Sequence, residues 1–417
     1  MPSRAPQASR NEAVRSWLRS AAHVTLVLAT LVLAALGLAC KSAPHRGREN
    51  RGRPAIAAAP SASASLRRDE GGPADLEFLV RIFRWSEPGE TFLSDNLVSN
   101  ETSYLEAAAA LLSRQGGVYL GVGPEQNLSY IAFTRPELAL IVDLRRDNAL
   151  LHLLYQAIFE TAASREQFLG LLLGRPWAGI PVAPPGSDAH SVLRAVERQA
   201  PDHRWFVERH AALEERIQGH GLGLSLQDFD QIRKIHEQFF TRQLDLRFEL
   251  HQPSGHVYPT MAVLLGARDD AGHGSFLATE AGFEFVRSLE RRHRVIPVVA
   301  NLAAPEPLGR IAAELRARGL RVNAFYASNV EQYLMGTPAF DGWLRNLHLL
   351  PTDNASVVVR SYLDQGRRHP RQAPGERTTT LVHSLDRFLA RAAERPYPNY
   401  YALAADASLV VGPGQPK

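Results

Sequence analysis

The stretch Gly117-Val118-Tyr119-Leu120-Gly121-Val122-Gly123-Pro124-Glu125-Gln126-Asn127 constrains this chain most. A β-branched and aromatic run breaks into a Gly-x-Gly turn and then into a helical pattern. The next strand-like run, Leu138 to Val142, delivers Asp143 twenty positions after Gly123. That is the layout of a nucleotide-binding βαβ unit: glycines let the backbone approach a ligand, and the carboxylate accepts hydrogen bonds from ribose hydroxyls. It is half of the full signal, because the third glycine is missing and Asn127 stands near its place.

The same rhythm continues on both sides. Leu76–Trp85 and Glu101–Ser113 carry helical apolar spacing, and strand 118–122, helix 125–133, strand 138–143 and a long helix over Asn148–Ala163 follow. Asp147 or Asn148 is positioned to cap that long helix. From about 165 to 290 the pattern is mainly helical and charged, with a Pro/Gly-rich break at 175–188, and reads as a helical insertion over the ligand edge. The alternation resumes with strand Val295–Ala300, helix Pro305–Arg318 stopped by Gly319, and strands Val322–Ala327 and Val357–Ser361. Thr378–His383 and Tyr400–Val411 read as closing strands around helix 385–394. Strands separated by helices imply an α/β, doubly wound, Rossmann-like and mostly parallel sheet.

The N-terminus reads differently. Val24–Ala39 is an uncharged apolar run preceded by Arg4, Arg10, Arg15 and Arg19, and it ends in Leu36-Gly37-Leu38-Ala39-Cys40. A basic region, an apolar region and a small residue describe a secretory signal over 1–39. A cysteine directly after the small residue resembles a bacterial lipobox, with Cys40 as the acylated residue. This predicts a membrane-anchored lipoprotein on the periplasmic or outer-membrane side. Positive charges on both sides of the run leave a cytoplasmic-face anchor as the alternative. Residues 40–74, rich in Ala, Ser, Pro, Gly and Arg, read as a disordered tether before a domain spanning 75–417.

Charge follows this division. Residues 1–39 carry +3 and residues 40–74 carry +4 of the chain's net +4, so residues 75–417 carry −3. The basic pI therefore belongs to the tail and supplies no argument for nucleic-acid binding. The pair Arg145-Arg146 reads as a solvated helix start. With one cysteine, neither an intrachain disulfide nor a cysteine-based metal site exists. No phosphate-binding P-loop, no Gly-x-Ser-x-Gly elbow and no His-Glu-x-x-His pattern is present. Gly272-His273-Gly274-Ser275 reads as a polar turn. His203 and His210 have the spacing of one helix face but not of a zinc motif, and no metal is expected.

The glycine turn, together with Ser99-Asn100-Glu101-Thr102-Ser103-Tyr104, Ile141-Val142-Asp143-Leu144-Arg145-Arg146-Asp147-Asn148 and Phe325-Tyr326-Ala327-Ser328-Asn329-Val330-Glu331-Gln332-Tyr333, resembles a largely uncharacterised bacterial family. Its members are assigned the class I S-adenosylmethionine-dependent methyltransferase-like fold. The resemblance, over about 75–365, implies that Gly121, Gly123 and Glu125 form the turn under the cofactor S-adenosylmethionine. It implies that Asp143 binds the ribose, that Asn301 sits near the adenine, and that Ser328-Asn329 stands on the substrate side. Tyr104, Asn329 and Glu331 are the catalytic candidates. The chain departs from methyltransferases by lacking the usual first-strand acid, and Asn329-Val330-Glu331 stands where N-methyltransferases carry Asp/Asn-Pro-Pro-Tyr. The partners implied are a membrane and a small nucleoside-type ligand. The alternative reading is a surface or periplasmic lipoprotein that keeps this fold as a binding module without the reaction.

Overall fold

The computed structural model of the chain describes residues 72–252 and 255–412. The expected signal over 1–39, the expected acylation site Cys40 and the expected tether up to residue 71 lie outside the described residues. Among the described residues no helix is long and apolar enough to cross a membrane.

Helix α1 (Pro73–Phe83) leads, through a long extended segment and a 3-10 turn at Tyr104–Ala107, into the short α2 (Ala108–Leu112). Strand β1 (Val118–Gly121), α3 (Gln126–Thr134), β2 (Leu138–Asp143) and α4 (Arg146–Thr161) follow. Between α4 and the next strand come α5 (Arg165–Leu173), α6 (Ala189–Glu197), α7 (His203–Gly219), α8 (Leu226–Arg242), α9 (Met261–Gly266) and α10 (Glu280–Arg291). The rest is β3 (Val295–Val299), α11 (Pro305–Ala317), β4 (Val322–Ser328), α12 (Val330–Leu334), α13 (Pro338–Leu349), β5 (Val357–Leu363), β6 (Thr378–Ser384), α14 (Leu385–Glu394) and α15 (Tyr400–Ala404).

The strands form one six-stranded sheet in the order β3-β2-β1-β4-β5-β6. Pairings from β3 across to β5 are parallel, and β6 runs antiparallel to β5. The chain is thus a mixed α/β protein with a mostly parallel sheet. Strands β1, β2 and β3 are buried at every residue, as continuous apolar runs covered on both faces must be. Crossing outward from β1 to either β2 or β4 reverses the winding, so the carboxyl ends of β1 and β4 flank a topological switch point.

Local chemistry explains most helix starts. Ser164, Asp188, Asp202, Thr260 and Thr279 each accept a backbone N–H of their helix's first turn, and Ser225 with Asp228 forms a full capping box. Helix α4 begins at Arg146, ahead of the proposed caps, and Asp147 sits in its first turn without capping it. Phe159, Phe168, Phe276 and Phe283 stack with centroids as close as 4.4 Å and lock α4, α5 and α10 together.

Two expectations are corrected. The stretch 101–113 is not one helix but an extended start, a 3-10 turn and the short α2. Tyr400–Val411 is not a strand: Asn399 caps α15 by accepting the Ala402 N–H at 2.9 Å, and only Val410 bridges to β6. The alternating Tyr and Leu residues that mimic a strand instead pack α15 against β5.

Candidate functional site at the sheet switch point

The glycine turn closes on itself. Gly123 has φ +79°, which a side chain rarely tolerates, and a Cβ on Gly121 would lie 1.9 Å from Asn127 Oδ1. Asn127, standing near the missing third glycine, donates through Nδ2 to the carbonyls of Val122, Gly123 and Pro124 at 2.8–2.9 Å. Its Oδ1 accepts the Tyr119 hydroxyl at 2.8 Å. The space beside Gly121 and three carbonyls of the turn are thereby taken by this one amide.

Asp143 arrives where its place in the sequence implies, at the end of β2 and 9 % exposed. Its Oδ2 accepts the Gly123 N–H at 3.0 Å, and its Oδ1 accepts the Arg145 N–H at 2.9 Å. The Arg145 guanidinium adds an ion pair at 3.2 Å. Arg145 is therefore buried and committed, not a solvated helix start, because it neutralises a carboxylate withdrawn from water. Beneath the turn, burial holds the His152 imidazole down to about 4, so the neutral ring donates Nε2–H to the Gly123 carbonyl at 2.9 Å.

The extended segment before the 3-10 turn lies across the turn. The Ser99 N–H donates to both oxygens of Glu125 at 3.1 Å, and the Ser99 hydroxyl meets Gln126 Oε1 at 2.6 Å. Glu101 fills the switch point itself, accepting Tyr326 Oη at 2.9 Å, Ser328 Oγ at 2.5 Å and Gln126 Nε2 at 3.0 Å. Burial pushes the Glu101 carboxyl up, while the bonds from Ser328, Gln126 and Tyr326 pull it back. Glu125 is driven up to about 7, first by burial and further by the Glu101 charge, against the Ser99 N–H. Sequence reasoning missed Glu101 as the centre of this network; its only signal was membership of the Ser99–Tyr104 block.

Glu125 makes a testable contribution to stability. Between about pH 4.5 and 7 the folded protein holds a proton that the unfolded chain has released, so this stability is complete below that window and lost as pH rises through it. At about 1.4 kcal/mol per unit, the loss is about 3 kcal/mol. Urea unfolding of wild type minus Glu125→Gln across that range should show it. The difference cancels the opposite slope of His152, whose neutral folded form gains stability as pH rises. A flat difference would remove Glu125 from the buried network.

The other expected site residues have structural partners. Asn301 closes a turn after β3: its Oδ1 accepts the Ala303 N–H at 2.9 Å and its Nδ2 reaches Glu90 at 3.3 Å. The Tyr104 hydroxyl donates to the Leu264 carbonyl at 3.0 Å. Asn329 stands at the N-cap of α12, with its Oδ1 3.4 Å from Ser328 Oγ. Glu331 is fully buried: Arg360 binds it through Nε at 2.5 Å and Nη2 at 2.9 Å, and Trp343 Nε1 adds a bond at 2.9 Å. Both oxygens of this carboxylate are thus engaged in a buried ion pair. His203 and His210 also part company, His210 Nδ1 meeting His236 Nδ1 at 3.0 Å and His203 packing on Phe240.

Open space on the carboxyl edge lies elsewhere. A cavity of about 620 Å³ sits between the start of α4 and the start of α8, lined by Pro88, Arg146, Asp147, Ser225, Gln231 and Lys234 among others. Arg146 forms a bidentate pair with Asp228, which its hydrogen bonds hold down to about 2. Gln231 Nε2 donates to Asp147 Oδ2 at 3.1 Å, and burial pushes the Asp147 carboxyl up against the pull of Arg145.

No curated protein matches the chain. Among solved structures it is similar to the rRNA methyltransferase aviRa from Streptomyces viridochromogenes, at 14% identity over 75% of this chain and 92% of that one. The TM-score is 0.25, too low to carry an argument. The family assignment is firmer: over residues 96–174 and 186–410, which hold the glycine turn, Asp143 and the Glu331–Arg360 pair, the chain belongs to the family described as Domain of unknown function (DUF7790).

Proposed function

We propose that this protein is a membrane-tethered binding module on a methyltransferase-like α/β fold. It takes a small nucleoside-type ligand in the groove between α4 and α8, not a methyl donor over the glycine turn. One observation carries this reading: the Gly123 N–H, the carbonyls of the turn and the Glu125 and Gln126 side chains are already used by Asp143, Asn127, His152 and the Ser99–Glu101 segment. At about 1 kcal/mol for each buried hydrogen bond lost, lifting that segment costs several kcal/mol. That lowers the apparent affinity for S-adenosylmethionine by about a thousandfold. The groove's volume and its amide and carboxyl lining suit ribose hydroxyls and base edges. Acylation of Cys40 would place the domain outside the cytoplasm, away from the methyl donor's source. Palmitate labelling that disappears in Cys40→Ala tests the tether.

A second reading keeps cofactor binding over the turn, with the Ser99–Glu101 segment displaced as a lid. It is favoured by Ser328, which ends β4 at the switch point with φ +49°, a strained conformation of the kind that collects at functional sites.

Thermal shift of the full chain with adenosine and with S-adenosylhomocysteine separates the two. At hundredfold excess over the dissociation constant a ligand adds about 2.7 kcal/mol. The proposal expects a shift that survives Asp143→Asn and is lost in Gln231→Leu. The opposite pattern supports the second reading, and no shift with either compound overturns nucleoside binding altogether.

A further inference from the structure

We propose that Glu160, His220 and His293 form a site for a divalent transition metal of the zinc type, on the edge of the sheet opposite the groove. The three residues come from the last turn of α4, the C-cap of α7 and the turn between α10 and β3. They are too far apart in sequence to form a spacing motif, and the fold alone brings them together. Their donor atoms all lie within 4.8 Å of one another. His220 Nε2 is 3.1 Å from Glu160 Oε1, and His293 Nδ1 is 3.6 Å from the same oxygen. Zinc bonds of about 2.0–2.1 Å in a tetrahedron set donors about 3.4 Å apart. The observed separations bracket that value.

Independent observations point to a missing cation. Glu160 Oε1 and His293 Nδ1, two of the three donor atoms, are buried and lack a hydrogen-bond partner among the described residues. So do both oxygens of Glu290, which is only 1 % exposed and close enough to Glu160 for their charges to repel. An unsatisfied buried carboxylate oxygen is costly, and a cation at Glu160 Oε1 relieves it. His293 also holds φ +55°, a conformation rare outside glycine, which turns its ring toward His220 at a centroid distance of 5.2 Å. A cavity of about 490 Å³ opens beside the three residues and leaves room for water as a fourth ligand.

Glu160 Oε2 is already engaged, by His220 Nε2 at 3.3 Å and by Arg216 Nη1 at 3.4 Å, and Arg291 also lines the cavity; the Arg216 side chain is half-exposed and can swing into solvent. Two neutral imidazoles and one carboxylate are a borderline-soft set that suits zinc over calcium or magnesium. At this end of the sheet the metal would clamp α4, the end of α7 and the entry to β3, acting on stability and not on the ligand groove. The inference is independent of the proposed function.

The test is metal binding by the full chain after chelator treatment and dialysis, using zinc and cobalt(II) alone. The expected result is about one ion per chain, a higher melting temperature with zinc, and the intense visible absorption of low-coordinate cobalt(II). Glu160→Gln and His220→Gln should each weaken binding by about 10–100-fold or more, whereas Arg216→Ala should retain or tighten it. If a ligand variant fails to fold, the cobalt spectrum of wild type and of Arg216→Ala decides. No stoichiometric metal in wild type, the weak spectrum of fully hydrated cobalt, or unchanged affinity in folded Glu160→Gln overturns the proposal.

Discussion

Replacing Arg360 by methionine should cost about 3–5 kcal/mol of folding stability. Arg360 and Glu331 are both fully buried, and the guanidinium spends Nε and Nη2 on the carboxylate. Its Nη1 donates to His383 Nδ1 at 3.1 Å, and its plane lies 4.2 Å from the centre of the Phe388 ring. Burial, then the charge of Arg360, holds the His383 imidazole well below its ordinary range, so the neutral ring is free to accept that bond. Removing the arginine leaves a fully buried carboxylate with the Trp343 Nε1–H as its remaining hydrogen bond among the described residues. The double variant Glu331→Gln/Arg360→Met should recover much of the loss, since no uncompensated charge remains. Urea unfolding checks both. A loss below about 1 kcal/mol for Arg360→Met, a value typical of surface pairs, would show that the pair is not sequestered.

Gly121→Ala should have an effect of similar size for a different reason. The new methyl group would meet Asn127 Oδ1 at 1.9 Å and drive the amide out of its place. Overpacking alone costs about 1–3 kcal/mol, and the displaced amide would also leave the buried Tyr119 hydroxyl and the Val122 carbonyl without their partner. We expect about 3 kcal/mol or more in total. Asn127→Ala should be comparably damaging for the second reason only. The two changes should therefore be strongly non-additive, with Gly121→Ala/Asn127→Ala little worse than Asn127→Ala. If Gly121 served only to admit a cofactor, its alanine variant would unfold at the wild-type urea concentration.

The architecture was largely legible because the strands of its parallel part are buried on both faces. Val118–Leu120, Leu138–Val142 and Val295–Val299 are unbroken apolar runs, and such runs flanked by glycine and helical spacing have few other readings. The position of Asp143 was legible too, but not its direction. Nothing in the order of residues says that Arg145, two places on, will fold back to claim the carboxylate. Asn127 read as a defective third glycine when it is the turn's internal brace. Glu331, Arg360 and His383 come from three distant segments, as do Glu160, His220 and His293, and no spacing rule reaches across such separations. Tyr400–Val411 imitated a strand because apolar alternation outweighed the short cap signal of Asn399.

Amide hydrogen exchange on the full chain, followed across the Ser99–Glu101 segment and the Gly121–Gln126 turn, tests most directly whether the switch point is shut. The account predicts slow exchange at both without any ligand, unchanged by S-adenosylhomocysteine, while amides at the start of α4 and α8 slow when adenosine is added. Rapid exchange at the turn that slows only on adding S-adenosylhomocysteine would contradict it.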